Sequence, residues 1–513
     1  MRAGRGWMVS LAAFAAAGYV FLATAPYGPG ITSDSIHYIT AAQKLLTIGR
    51  METYTGSPLV SYAPLLPFLY ASLAWIAFPI LFWARFISAV SFGMVVAIAG
   101  RWSWTATGAI NWAGLTVALV LFARPLLWYS PYALSELLFV VLTLAALWSL
   151  WLFVQNNKPI FLLAAIAFSA LSILTRYIGL TAVLAGTLFL LFNLRCIAKE
   201  RVKYALLYLL PSCVPFVIWL WRNQQVSGTF FGIREASDYR YQEMLFDTLW
   251  SWSRWVIPAA FPKSVTLFAV FLILLIGVGV IRLMMGWRTA SEPLRRMLWL
   301  IVIYIVTYSA SLVFAARGAK FEGLSERLWL PVAVPVVLLV TGVAAINVQS
   351  RTTRWFKVFL AVFVAGWIMS GMLFAGRMLR ECIGDGPGVF NIAAWRQSPT
   401  MRFMQNSALK GVFYSNFPEP LYYYTGVVSY QVPHKGPMRV ASETLPRNLQ
   451  QFLHAMQEHA QHREKVYLIW FHNPSRSHYL YTLSELGEHI SLHAVKQLPD
   501  GKVLMAALKG EKQ

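Results

Sequence analysis

Apolar runs long enough to cross a bilayer, about 20 residues for a hydrocarbon layer of ~30 Å, recur from residue 7 to residue 376 of this 513-residue chain. No single soluble core needs so many. A continuous apolar run in lipid must satisfy its own backbone hydrogen bonds, which points to helices. Composition agrees, since 58% of the residues are hydrophobic and 12% charged, against an apolar share of roughly 45–50% in soluble domains. The formal charge of +22 raises nucleic acid as a partner. The basic residues, however, fall in short clusters between apolar runs rather than along one soluble face, so no nucleic-acid partner is expected.

Twelve candidate segments emerge, at approximately 7–26, 61–80, 83–100, 107–128, 132–154, 160–175, 177–193, 203–222, 264–283, 296–316, 329–347 and 356–376. The first follows Arg2 and Arg5 and ends in an ATA that looks like a signal-peptidase site; its length and the Pro26 just after it favour a retained anchor. The basic clusters Arg2/Arg5, Arg101, Lys158, Arg195 to Lys203, Arg282 to Arg296 and Arg351 to Lys357 should all face the cytoplasm. They can do so only if one candidate fails to cross. The segment 61–80, SYAPLLPFLYASLAWIAFPI, is the one to remove, because Pro64, Pro67 and Pro79 each delete a backbone donor. It is expected to be interfacial or re-entrant. The predicted architecture is an α-helical polytopic membrane protein with about 11 transmembrane helices, the N-terminus inside and residues 377–513 outside.

Of the eleven acids in residues 1–376, only Glu200 and Glu292 then fall on the inner side. The outer face collects the polar regions 27–60, 223–262 and 317–328 together with the tail, so residues 1–376 read as the membrane domain with a first outer loop at 27–60. Composition shifts after AGRMLRECIGDGPG, whose glycines and Pro387 mark a linker. Beyond it, 411–416 and 465–471 read as buried strands and LPRNLQQFLHAMQEHAQH as an amphipathic helix. The last stretch reads as a hairpin turning on Asp500-Gly501, so residues 377–513 are expected to form a small extracytoplasmic α/β domain. The three cysteines show neither zinc spacing nor a disulfide framework.

Asp34, eight residues after the first segment, precedes a stretch from Ile36 to Ile48 with helical apolar spacing that stops at Gly49. By position alone it is as well read as a cap, a role open equally to Ser33, Asp34 and Ser35. The wider pattern adds a second reading. DSIHYITAAQKLLTIGR followed by SYAPLLPFLY, then YALSELLF at 132–139, LTRYIGL at 174–180, WLWRNQQVSGTFFG at 219–232 and LSERLWLPVAVP at 324–335, resembles the GT-C glycosyltransferases of the family-39-like branch in order and position. That superfamily includes the aminoarabinose transferases and protein O-mannosyltransferases. WRQSP and YSNFPEPLYYYTG in the tail resemble the external domain of such proteins. The chain departs from many members in carrying Ser35 rather than an acid after Asp34, and Tyr62-Ala63 before Pro64.

The resemblance implies transfer of a sugar from a polyprenyl-phosphate-linked donor to a lipid, polysaccharide or protein acceptor, at the outer face of a bacterial cytoplasmic membrane. Asp34 takes the role of base, and fixed cations hold the carrier phosphate as its leaving oxygen gains charge. Arg176, Arg222 and Arg327, each near the outer end of a segment, are the cations chosen, with Lys320 a weaker one. Their plain alternatives are snorkelling to headgroups or, for Arg327, an ion pair with Glu326 or Glu322. Glu136 at the mouth of an apolar run either balances the helix dipole, or orients the acceptor or helps hold the neighbours of Asp34. His37, Tyr38, Tyr62 and Glu322 complete the expected substrate contacts. The mixed aromatic and charged loop 223–262 suits a sugar cleft or an interfacial belt equally. No cofactor or metal is expected, and a divalent cation is not indicated. The alternative function, a transporter or flippase for lipid-linked glycans, calls for internal repeats and mid-span charges; neither is visible.

Overall fold

The computed structural model describes residues 6–234, 236–256, 262–319, 323–349, 354–436, 446 and 448–509. Every one of the twelve apolar segments falls on a helix. In chain order these are Trp7–Ala23, Leu65–Ile76, Ile80–Thr107, Ile110–Leu121, Glu136–Asn156, Pro159–Thr175, Leu180–Asn193, Ala198–Ser227, Pro262–Gly286, Glu292–Gly318, Glu326–Gln349 and Arg354–Gly384. Among the described residues, six helices are long and apolar enough to cross a membrane, and the chain is a multi-pass membrane protein. Chain breakers set the ends. Gly108, Asn157 and Gly228 close their helices in the left-handed region, as glycine and asparagine commonly do. Pro159 and Pro293 sit in first turns, where a missing N–H goes unnoticed.

The proline-rich candidate is, with Ile110–Leu121, one of the two shortest of these twelve helices. Leu65–Ile76 has 12 residues and so runs about 18 Å, well short of the ~30 Å hydrocarbon layer. It ends at Ala77, and Phe78, with φ of 64°, turns the chain into Pro79. Phe68, Trp75, Ile76 and Phe78 are all exposed.

The two ends of the bundle differ in charge. At one end Arg195 and Arg296 pair with Glu292, Lys203 pairs with Glu200, and Trp151 and Val154 meet Pro293 and Arg296. Glu136 begins the helix that Trp151 and Val154 end, so the acids around Glu136 gather at the opposite end.

That acidic end carries the tail domain. The last long helix continues through residue 376 to Gly384, eight residues past the boundary expected from composition. After it comes a five-stranded sheet built of β1 (Val412–Ser415), β2 (Tyr430–Gln431), β3 (Val466–Phe471), β4 (Ile490–Leu498) and β5 (Gly501–Leu508). The order is β2-β1-β3-β5-β4, with β2, β1 and β3 parallel and β3, β5 and β4 antiparallel. The predicted amphipathic helix forms at Leu449–Gln461 and buries Phe452 and Met456. The hairpin turns one residue earlier than expected, on Pro499-Asp500, because Leu498 already pairs with Gly501. Asp500 is recruited instead to receive Thr400 N–H and Oγ, at 3.1 and 2.7 Å.

The tail is docked rather than tethered. Ile31, Ile36, Ile39 and Tyr54 of the first loop share one apolar cluster with Phe390, Trp395, Phe417 and Phe471. The linker joins this contact, since Val389 and Phe390 N–H both reach Ile31 O.

Candidate active site

Asp34 lies in the first turn of the helix Ser33–Ile48, which ends at Gly49 (φ 69°) as its spacing predicts. It is not the cap. Thr32 caps the helix, its hydroxyl accepting from Ser35 N–H while Ser35 Oγ accepts from Thr32 N–H. This closed reciprocal cap leaves the Asp34 carboxyl available for contacts outside its own helix. Those contacts are Arg327, an ion pair through Oδ2, and Tyr62, whose hydroxyl donates to Oδ1 at 2.8 Å.

Arg327 does not stop at Asp34. Its Nε–H also meets Glu136 Oε1, the same oxygen that receives Arg176. Asp34, Arg327, Glu136 and Arg176 therefore form one linked series of ion pairs, drawn from a loop helix and three bundle segments. Glu136 sits at the centre, 1% exposed, with its second oxygen unpartnered among the described residues. Such a buried carboxylate is tolerable only because two guanidiniums share its charge. The dipole role foreseen for it holds by position, as the first residue of its helix, but its chief contacts are the arginines. Neither arginine snorkels: Arg176 is 20% and Arg327 19% exposed, and both point inward. Arg327's acid partners are Asp34 and Glu136; Glu326 pairs instead with Arg254 at 2.7 Å.

Burial by itself would raise the Asp34 pKa. The adjacent Arg327 guanidinium, with Tyr62 and Arg176 assisting, more than offsets this and holds the carboxyl below its ordinary range. Tyr62 moves the other way, raised first by burial and then by the neighbouring Asp34 charge, so it stays a protonated donor.

These side chains wall a cavity of about 280 Å³, lined among others by Asp34, Tyr38, Tyr62, Arg176, Arg234 and Arg327. Tyr38 packs edge-on against Tyr62, ring centroids 5.3 Å apart, and meets Ser135 Oγ at 3.2 Å. His37 does not line the cavity; its ring stacks on Tyr62 at 5.2 Å and tilts against Tyr54 at 5.5 Å. Arg222 is elsewhere too, donating to Leu59 O at 2.8 Å and lying over the Trp219 ring. Lys320 and Glu322 lie outside the described residues.

Three residues outside the sequence reading contribute. Arg234 lines the cavity from the loop after Gly232; only its charge in a polar outer loop hinted at this. Tyr177 accepts from Trp219 Nε1–H at 3.0 Å, and its hydroxyl lies 2.7 Å from Val60 O. Asn223, fully buried, sends its amide to Phe230 O at 2.9 Å. Tyr177 and Arg222 thereby pin the backbone of 59–62 and aim Tyr62 at Asp34. A second cavity of about 370 Å³ meets the first at Ser325 and is walled by Trp128, Tyr129, Asp247, Trp250, Arg254 and Glu326. The loop 223–262 thus supplies cavity wall as well as surface.

No family model and no curated protein matches the chain. Solved structures do. ArnT from Cupriavidus metallidurans in the apo state aligns at TM-score 0.59 and 13% identity over 98% of both chains; bound to undecaprenyl phosphate it aligns at 0.57 and 14% over the whole of both. The oligosaccharyltransferase AglB from Archaeoglobus fulgidus, in complex with an inhibitory peptide and a dolichol-phosphate, aligns at 0.54 and 9%, over 99% of this chain and 75% of its own. The arabinofuranosyltransferase AftD from Mycobacteria aligns at 0.57 and 13%, over 99% of this chain and 42% of its own. These are GT-C glycosyltransferases, and the fold of this chain is the GT-C fold.

Proposed function

We propose, starting from the GT-C fold, that the chain transfers a sugar from a polyprenyl-phosphate-linked donor to a lipid, polysaccharide or protein acceptor at the outer face of the cytoplasmic membrane. The observation that carries this reading is the direct link between Asp34 and Arg327 in a cavity that Arg176 and Arg234 also line. Arg176, Arg234 and Arg327 bring guanidiniums to this space beside Asp34 and Glu136, a donor set suited to an anionic phosphate. Arginine can offer a phosphate paired donors that lysine cannot.

In a single displacement the acceptor oxygen bonds to the anomeric carbon as the bond from that carbon to the phosphate oxygen breaks. The electron pair leaves with the carrier phosphate, and the acceptor proton passes to Asp34. A carboxylate held at low pKa is a weak base towards a free hydroxyl. It suffices here because the acceptor oxygen becomes strongly acidic once its bond to carbon is forming. The incoming phosphate also competes for Arg327, which loosens that arginine's hold on Asp34 at the moment the carboxylate is needed. Arg176 and Arg327 stabilise the departing phosphate. Beyond Ser325, the aromatic faces and carboxylates of the second cavity suit a hydroxylated acceptor.

The decisive measurement is transfer from polyprenyl-phosphate sugars, extracted from the host membrane, by the full chain in vesicles. Asp34→Asn should lower turnover by about 10²–10⁴-fold while the protein keeps its fold and still binds undecaprenyl phosphate. Near-normal turnover in that variant overturns the assignment of Asp34.

A further inference from the structure

Asp34 is held by more than its charge partners, and the second set of contacts comes from the tail. The tail helix Pro418–Thr425 touches the first loop at two points on either side of Asp34. On one side, Ser33, the residue preceding Asp34, donates its hydroxyl to Glu419 Oε1 at 2.9 Å. Glu419 is buried, and Arg476 Nη1 holds its other oxygen at 2.9 Å; the Arg476 guanidinium lies over the Phe417 ring, 4.6 Å from its centroid. On the other side, Tyr422 packs on Tyr54 at 5.2 Å, Tyr54 on His37 at 5.5 Å and His37 on Tyr62 at 5.2 Å. Tyr62 then donates to Asp34.

We propose that the C-terminal domain is part of the apparatus that positions Asp34, with Glu419 acting through Ser33 and Tyr422 acting through Tyr54, His37 and Tyr62. Glu419, Ser33, Tyr422, Tyr54 and His37 are positioning residues that do not line the cavity; Tyr62 does line it and passes the contact on to Asp34. The physical reason is leverage. A one-turn helix start carries the carboxyl, and a displacement near 1 Å of a reacting group costs about a hundredfold in rate. A helix end gripped at one point can pivot, whereas one gripped on both sides cannot. Burial strengthens the Ser33 grip, because a buried carboxylate deprived of a donor is left incompletely solvated. The proposal rests on the glycosyl-transfer reading for its catalytic consequence, but the coupling itself is independent of it.

The test uses the full chain in lipid nanodiscs, comparing wild type with Ser33→Ala, Ser33→Thr, Glu419→Gln and Tyr422→Ala by amide hydrogen exchange. Ser33→Ala is the main variant because it leaves the Glu419–Arg476 pair and the tail intact. In it, peptides covering 31–40 should exchange about tenfold faster, the factor a charge-assisted hydrogen bond confers. Peptides from Glu136–Asn156 should not change. Tyr422→Ala should loosen 52–64, and Ser33→Thr, which keeps the hydroxyl, should return exchange at 31–40 to the wild-type rate. In transfer assays kcat should fall between about tenfold and a hundredfold, with KM for the donor within about twofold. Unchanged exchange at 31–40, or a rise spread over the whole bundle, overturns the proposal. Failure of the wild type to bind undecaprenyl phosphate or to transfer sugar would sink the functional reading instead, while the exchange comparison still decides the coupling.

Discussion

At the scale of the residue, the site is a balance of charges in which every member depends on another. Asp34 illustrates the sign. Its carboxyl lies below the ordinary value of 3.8 because Arg327, Tyr62 and Arg176 together outweigh the effect of burial. A lowered carboxylate contributes stability that is fully present above the unfolded pKa and is lost as pH falls through the lower folded one. The difference in thermal stability between wild type and Asp34→Asn should therefore be constant from pH 7 down to about pH 5 and shrink only below 3.8, which a melting series over pH 3–7 would check. Arg234, by contrast, lines the cavity from an exposed loop. Arg234→Ala should weaken undecaprenyl phosphate binding by about tenfold, the typical worth of one charge-assisted contact. Its melting temperature should stay near wild type, and a binding isotherm at fixed ionic strength reads the difference.

At the scale of the element, the informative pieces are those that depart from a plain spanning helix. Leu65–Ile76 is shorter than the hydrocarbon layer, as Ile110–Leu121 also is, and its exposed Phe68, Trp75 and Ile76 suit a bilayer interface. Eleven crossings, the reading made from the sequence with that segment left in the interface, would put the two termini on opposite sides, and labelling tests it. Single cysteines placed at position 56 and in the tail should be labelled by an impermeant reagent from outside, and one at position 157 only after the membrane is opened. The linker carries a second such feature. Gly388 has φ of 88°, and a Cβ there would meet Ile31 N at 2.6 Å. Gly388→Ala should thus loosen tail docking by about 1–3 kcal/mol. Faster proteolysis between residues 376 and 400, relative to the bundle, would show it.

At the scale of the whole molecule, the helices were legible from the sequence because each apolar run meets its backbone needs alone, whatever surrounds it. The tail strands at 411–416 and 465–471 were legible for a related reason, since short buried apolar runs between breakers have few other forms. Asp34 was singled out by its place after the first segment and by resemblance, and Glu136 by the cost of an acid beside lipid. Tyr177 and Arg234 were not, because nothing local marks a tyrosine or a loop arginine as pointing into a cavity. Arg222 shows the same limit from the other side: it lies near the end of the helix Ala198–Ser227, yet its guanidinium is committed to Leu59 O. The cap fell to Thr32 rather than to any of the three neighbours favoured by composition, a choice made by the backbone path entering from Gly30 and Ile31. The sequence by itself thus determined which stretches become helices and at which end the acids gather, because hydrocarbon and the helix backbone enforce both locally. Only the tertiary structure decided that Asp34, Glu136, Arg176 and Arg327 form one linked cluster and that the tail grips Asp34 from both sides. Those contacts join residues up to 386 positions apart, and no local periodicity encodes a distance that the packing of separate helices creates.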